Sequence, residues 1–140
     1  MAVEHQAPDV LAMVLADAVL GDLVSKKLFI QGTYSAIFGR DFPLVCPAIV
    51  VYAAITNGHG KTLIELRVVD VDAEHEPLGK AGILMDFADP LVVADAVFAI
   101  SPVVFPGPGE YRLQLYMGNH LLRERRLQVI PVPMPPSEHP

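Results

Sequence analysis

Two histidines and two aspartates near predicted turns are the residues best suited to chemistry. His59 and His120 each follow a glycine-containing turn, and an up-and-down strand order places both at one end of the sheets, with Asp86 and Asp89. Histidine and aspartate bind metals and also act as general acids and bases. These four residues are therefore a candidate metal or small-ligand site. Because the loop ends of β-sandwiches are polar anyway, an ordinary solvated loop end is the competing interpretation.

Two further segments resemble known ligand-binding loops, one for phosphate and one for calcium, but each lacks residues that the loop requires. The segment 58–62, Gly-His-Gly-Lys-Thr, lacks the first glycine of a phosphate-binding loop, since Ile55 stands there, and joins two predicted strands. The acidic segment 70–76 could supply oxygens for Ca²⁺. However, His75 stands where an EF-hand needs glycine, and Ala81 stands where it needs the closing glutamate. Both segments are predicted to be turns.

Nucleophilic chemistry has little support in the sequence. No serine lies in the G-x-S-x-G motif that surrounds many nucleophilic serines. No pair of carboxylates lies in a recognisable motif for general acid/base catalysis. The single cysteine, Cys46, lies in an apolar run without a nearby histidine or lysine and is predicted to be a small buried hydrophobic residue. We therefore expect no enzymatic activity and no cofactor.

The charge balance is acidic, with a formal net charge of −6. A nucleic-acid-binding domain usually has a basic surface, so nucleic acid and anionic membranes are not expected partners. One local basic cluster has the chemistry of a phosphate- or carboxylate-binding site. The alternative that we favour is a solvated strand face on which arginines pair with Glu110 and Glu124. The arginines are Arg112, Arg123, Arg125 and Arg126.

The chain of 140 residues is long enough for one domain. We predict a loose N-terminal arm at 1–9, a folded domain at 10–130 and a proline-rich tail at 131–140. The N-terminus has no positive region typical of a signal peptide, and no apolar run is long enough for a transmembrane helix. A cytoplasmic location is therefore expected.

Strand signals dominate the domain. Thirteen prolines and ten glycines argue against a helical bundle. Residues 111–117 alternate strictly and turn at Gly118-Asn119 into 121–130, which predicts a hairpin. Tyr111 stands two residues after Gly109 at a strand start, as in a tyrosine corner. Seven or eight short strands predict an all-β fold, an antiparallel immunoglobulin-like β-sandwich. Residues 10–20 fit either a strand or a helix.

Four segments resemble an uncharacterised bacterial family, a domain of unknown function. They are Leu15-Ala16-Asp17, Lys27–Gly32, Phe42-Pro43 and Asp70–Ala73, where Ala73 replaces the usual turn glycine. The resemblance implies a small β-sandwich, favours a strand at 10–20 and implies no established activity.

The residues in these segments also have predicted structural roles. Gly32 is expected to mark a bulge or a close backbone approach. Phe42-Pro43 is expected to close one end of the sandwich. Asp17, in an apolar strand, is expected to need a backbone amide or an arginine as partner.

We predict a non-enzymatic interaction or scaffold module. Hydrophobic residues make up 52% of the chain, which suggests that another protein, first of all a second copy, covers some apolar surface. The alternative is a small-ligand or metal-binding domain that uses the loop end with His59, Asp86, Asp89 and His120.

Overall fold

The computed structural model describes residues 7–72 and 76–133. Eleven β-strands and no helix occur within these ranges. The strands are β1 Asp9–Gly21, β2 Leu28–Thr33, β3 Ala36–Gly39, β4 Leu44–Cys46, β5 Ile49–Thr56, β6 Gly60–Asp70, β7 Gly79–Phe87, β8 Ala94–Ile100, β9 Val103–Phe105, β10 Gly109–Met117 and β11 His120–Pro131.

The strands form two main sheets. The first has the order β2-β1-β5-β8, and the second has the order β3-β11-β10-β6-β7. Immunoglobulin-type sandwiches hold strands A, B and E in one sheet and strands C, F and G in the other. Here β1, β5 and β8 occupy the positions of strands A, B and E. The positions of strands C, F and G are occupied by β6, β10 and β11. The immunoglobulin-like β-sandwich is therefore confirmed.

The predicted number of strands, seven or eight, is wrong. The additional strands are β3, β4 and β9, which have only three or four residues each. A segment that short cannot display the alternation by which strands are recognised in a sequence. β3 pairs in parallel with β11, and β4 pairs with β9 in a separate two-stranded sheet.

Residues 10–20 form a strand, as the family resemblance implied. β1 pairs antiparallel with β5 on one side and with β2 on the other. Its register with β5 shifts between Val10 and Ala12. This bulge interrupts the period-2 pattern, which explains why periodicity alone did not distinguish strand from helix.

The core lies between the two sheets and is apolar. Alternate residues of the central strands face inward, and no polar or charged residue among those described is buried. This arrangement follows from the period of two in a strand, which gives each sheet one apolar face. The largest fully buried side chains are Phe98, Phe105, Leu15, Ile49, Ile55, Ile64, Leu66, Leu113, Leu115 and Leu127.

Tyr111 connects the start of β10 to the loop before it. Its hydroxyl donates a hydrogen bond to the Gly107 carbonyl oxygen at 2.6 Å. Its ring is buried and meets the Phe105 ring edge-on, with centroids 4.8 Å apart. This is the geometry of a tyrosine corner. β10 then pairs with β11 through the turn at Gly118-Asn119, which confirms the predicted hairpin.

The ends of the predicted domain are only partly described. Pro8 is buried, and β1 begins at Asp9. β11 continues to Pro131, the first residue of the predicted tail. The rest of the predicted arm, 1–6, and of the tail, 134–140, lie outside the described residues, as do 73–75 of the acidic turn. No helix in the described ranges is long and apolar enough to cross a membrane.

Candidate functional site

The four loop-end residues lie in exposed positions and do not line one pocket. His59 precedes β6 and lines a pocket of about 390 Å³ with Pro8. Asp86 and Asp89, at the end of β7, line a separate pocket of about 180 Å³. His120 begins β11 and lines neither of these two pockets.

A metal centre at this end would need several ligands close together. Within 7–72 and 76–133, no group of three or more histidine, cysteine, aspartate or glutamate side chains is placed to hold a metal ion. The Asp89 carboxylate accepts a hydrogen bond from the Leu91 amide at 2.9 Å and so stabilises its own turn. Small-ligand binding by these residues stays a prediction from the sequence.

The arginines of the last hairpin are bound to groups within the molecule. Arg112 contacts Glu124 at 2.7 Å and Glu110 at 3.2 Å, and Arg126 also contacts Glu110. The predicted pairing with Glu110 and Glu124 is therefore confirmed for Arg112 and Arg126.

The other two arginines join the sheets. Arg123 donates to the Val10 carbonyl oxygen at 2.8 Å. Arg125 donates to the Met13 carbonyl oxygen at 3.0 Å and to the Ser35 hydroxyl at 2.9 Å. Because Val10 and Met13 belong to β1, these contacts connect β11 of the second sheet to β1 of the first. All four guanidinium groups therefore have partners within the molecule.

A pocket of about 520 Å³ opens where the chain crosses from the first sheet to the second. Its volume falls in the range of small-molecule sites. Three stretches distant in sequence meet here: β1, the β2–β3 crossing, and the segment from the end of β4 to the link before β5. We call it the Asp17 pocket. It is lined by Asp17, Gly32, Thr33, Tyr34, Ala36, Ile37, Cys46, Pro47 and Ala48.

Asp17 and Gly32 are closely fitted to each other. Gly32 has a φ of 68°, and a Cβ at this position would collide with the Asp17 carboxylate. Gly32 is thus the close backbone approach that the sequence indicated. Asp17 itself is exposed, and the backbone-amide or arginine partner expected for it stays a prediction. Phe42-Pro43 is a cis bond, and Phe42 packs against the core while Pro43 is exposed.

The interior of the Asp17 pocket disfavours negative charge. Burial, with smaller contributions from Cys46 and Asp17, raises the pKa of Tyr34 to about 12. Burial also raises the pKa of the Cys46 thiol, and the Asp17 charge raises it further. Cys46 is half-buried and lines the pocket, rather than being the fully buried residue predicted. The chemistry of the pocket is that of one carboxylate among neutral groups, which suits a cation.

Residues 11–130 match the model of a family of unknown function, DUF6941. The chain belongs to this family. The resemblance found in the sequence is thereby confirmed at the level of the family. No curated protein matches the chain.

A solved structure is similar to this DUF6941 chain over most of its length. A crystal structure of an immunoglobulin-like protein from Pseudomonas aeruginosa is 16% identical, with a TM-score of 0.47. The match covers 91% of this chain and 99% of the other.

The β1–β2 hairpin of this DUF6941 domain presents apolar side chains to solvent. At its tip, residues 22–27, Leu23 is 85% exposed and Val24 is 92% exposed. The backbone of the tip is nevertheless hydrogen-bonded within the turn, since Asp22 Oδ1 accepts a hydrogen bond from the Val24 amide at 2.8 Å. Leu20 and Phe29, which face each other across the hairpin, are each about half exposed.

β2 is the edge strand of the first sheet and carries no charged side chain. The other long edge strands of the main sheets do: β7 has Lys80 and Asp86, and β8 has Asp95. Charges on edge strands oppose pairing with other chains. The outer edge of β2 therefore lacks a feature that protects the other long edge strands, β7 and β8.

Sequence reasoning missed both the Asp17 pocket and the hairpin surface. The pocket combines Asp17, Tyr34 and Cys46, which are distant in sequence and meet only in the folded chain. The hairpin did give a signal, since Leu23 and Val24 stand in a turn where polar residues are usual.

Proposed function

We propose that this DUF6941 domain is a non-enzymatic interaction module that associates with a second copy through the β1–β2 hairpin. The observation that carries the proposal is the hydrogen-bonded tip on which Leu23 and Val24 are almost fully exposed. Exposing apolar side chains to water is unfavourable in free energy, and a partner that covers them removes this cost.

The hairpin combines three features of an association surface. Its tip is apolar, its two strands add the exposed side chains of Leu20 and Phe29, and its outer strand has unpaired backbone groups without protective charge. A second copy presents the same three features, so a two-fold arrangement matches them. The sandwich acts as the rigid base on which the hairpin is held.

The test compares two leucines with the same exposed fraction. Leu23 at the hairpin tip and Leu91 in the β7–β8 loop are each 85% exposed. Sedimentation velocity and native mass spectrometry would follow the wild type, Leu23→Asp and Leu91→Asp from 1 to about 100 µM. We expect a wild-type dimer, a monomer for Leu23→Asp and an unchanged dimer for Leu91→Asp.

Two outcomes contradict the proposal. A wild-type chain that stays monomeric throughout this range has no functional self-association of this kind. A dimer that is lost with Leu91→Asp but kept with Leu23→Asp uses the β7–β8 loop instead. Circular dichroism of both variants checks that each retains the folded sandwich.

A further inference from the structure

The Asp17 pocket has one charged side chain and otherwise neutral walls. Its lining residues include the Asp17 carboxylate and no arginine, lysine or histidine. We infer that this pocket binds a small organic ammonium ion, with the charged group beside the Asp17 carboxylate and the apolar body of the ligand against Tyr34, Ile37 and Pro47. The inference goes beyond the proposed function, because such a site does not depend on the association of two copies.

The β2–β3 crossing, which forms one wall of the pocket, is held in place by both sheets. The Tyr34 amide donates a hydrogen bond to the Leu15 carbonyl oxygen at 3.2 Å, which connects the crossing to β1. The Ser35 carbonyl oxygen accepts a hydrogen bond from the Gln128 amide at 3.2 Å, which connects it to β11. Because the crossing is bound at both sides, the space beside it is preformed, as is usual for small-molecule sites.

The wall formed by residues 46–48 is held in place as well. Cys46 ends β4, which pairs with β9. The Cys46 thiol donates a hydrogen bond to the Ala48 carbonyl oxygen at 3.3 Å, and the Ser101 hydroxyl donates one to the Pro47 carbonyl oxygen at 2.5 Å. These polar groups are therefore bound within the molecule, and the surface that lines the pocket is mainly apolar.

The Asp17 carboxylate is positioned at the pocket without being neutralised. Gly32, with a φ of 68°, lies so close that an added Cβ would overlap the carboxylate, so the absence of a side chain there makes room for it. No ion pair within 7–72 and 76–133 involves Asp17. Arg125 reaches the crossing at the Ser35 hydroxyl but does not line the pocket, and it is also bound to the Met13 carbonyl oxygen. The carboxylate is therefore available to a ligand.

The chemistry of the lining residues selects an organic cation rather than a metal ion. Metal ions are held by several ligands together, and the described part of the chain has no group of three metal-binding side chains. An ammonium group has three N–H donors, for which the Asp17 carboxylate and the Thr33 and Tyr34 hydroxyls are acceptors among the lining residues. Burial raises the pKa of Tyr34 and of the Cys46 thiol, so both stay neutral at pH 7 and add no second charge.

A titration with three matched probes tests the site. Phenethylammonium, 2-phenylethanol and 3-phenylpropanoate share a phenylethyl framework and differ in the charge of the end group. Backbone amide NMR shifts at Gly32, Thr33, Tyr34 and Ala48 should show saturable binding of phenethylammonium with a dissociation constant of about 1 mM. Phenylethanol should bind about fivefold more weakly, because an exposed ion pair contributes only modestly. Phenylpropanoate, which the carboxylate repels, should bind more weakly still.

Asp17→Asn tests the role of the carboxylate, because it removes the charge and keeps the size of the side chain. In this variant phenethylammonium and phenylethanol should bind equally. The matched control is Asp86→Asn, which removes the same charge at the end of β7, in a different pocket. It should keep the preference of about fivefold. An equal loss of preference in both variants would mean that only the overall charge attracts the ligand, which would overturn the site.

Cys46 provides a test of location that does not depend on charge. Its thiol lines the pocket, and it is the only cysteine of the chain. Alkylation with iodoacetamide adds a neutral group there, so the alkylated protein should lose saturable binding of phenethylammonium. Cys46→Ser adds no bulk and should bind like the wild type, and circular dichroism checks the fold of both. Unchanged binding by the alkylated protein would place the ligand elsewhere and overturn the inference.

The outcomes separate this inference from the proposed function. Leu23→Asp should bind phenethylammonium like the wild type, because the hairpin tip does not line the pocket. A wild type that dimerises but binds phenethylammonium and phenylethanol equally overturns the ammonium site and leaves the hairpin interface. A monomeric wild type with the expected preference supports the site and overturns the interface. No saturable shift at the pocket amides up to about 20 mM probe overturns the inference.

Discussion

At the residue scale, the Tyr111 hydroxyl stabilises the loop before β10 by its hydrogen bond to the Gly107 carbonyl oxygen. Tyr111→Phe removes this group and keeps the buried ring against Phe105. Since a net protein hydrogen bond contributes about 1 kcal/mol, we expect the free energy of unfolding to fall by about 1–2 kcal/mol in urea denaturation. Tyr116→Phe is the control, because its hydroxyl bonds Gln114 at 3.2 Å in a half-buried position. Equal losses in both variants would contradict a special role for the corner.

The Asp17 charge should also be measurable at Cys46. Asp17 raises the pKa of the Cys46 thiol, in addition to the larger effect of burial. Asp17→Asn should therefore lower this pKa, increase the thiolate fraction and speed alkylation by iodoacetamide at pH 8. Because Cys46 is the only cysteine, the reaction reports this site alone. The rate should approach that of the wild type under strongly alkaline conditions, where both thiols ionise. Equal rates at pH 8 would show that the carboxylate does not act on the thiol.

At the element scale, Gly32 determines how β2 ends beside β1. Gly32→Ala adds a Cβ at a φ of 68° and against the Asp17 carboxylate. Gly60 has the same φ with nothing within 4 Å of an added Cβ. We expect Gly60→Ala to cost about 1 kcal/mol of unfolding free energy from the backbone alone, and Gly32→Ala to cost about 1–2 kcal/mol more. Asp17→Ala in the Gly32→Ala background should recover part of the loss. Equal costs at the two glycines would contradict the close fit.

The predictability of each element depended on its length and on what it faces. The β10–β11 hairpin combines strict alternation with a turn signal, so its residues specify it locally. β3, β4 and β9 exist because neighbouring strands offer hydrogen bonds to short segments, and no local pattern marks them. β1 carries a bulge, so its strand character became clear from its resemblance to a family rather than from its period.

The candidate sites, like the short strands, could be predicted from local sequence patterns only in part. An up-and-down order correctly places His59 and Asp86 near the same end, since Lys61, two residues after His59, pairs with Asp86. It cannot determine which loops share a pocket, because that depends on side-chain placement in each loop. The Asp17 pocket brings together three segments across two sheets, so only the tertiary fold reveals it.

At the scale of the whole molecule, the ionisation of two tyrosines makes the free energy of unfolding depend on pH in the alkaline range. Burial raises the pKa of Tyr34 to about 12, and the hydrogen bond to Asp95, with an O–O distance of 2.5 Å, raises that of Tyr52 to about 12. In the unfolded chain both groups ionise near 10. Between pH 10 and 12 the folded chain therefore holds more protons than the unfolded chain, and stability falls as pH rises.

This loss should be absent below pH 9, where both states keep the tyrosine protons, and should steepen above pH 10. Urea denaturation at intervals from pH 8 to 11.5 measures it. Removing both phenols with Tyr34→Phe and Tyr52→Phe should reduce the slope above pH 10, because these two groups then no longer titrate in either state. Absorbance near 295 nm would show the same groups ionising late in the folded wild type. An unchanged slope in the double variant would place the alkaline sensitivity elsewhere in the molecule and contradict the raised pKa values.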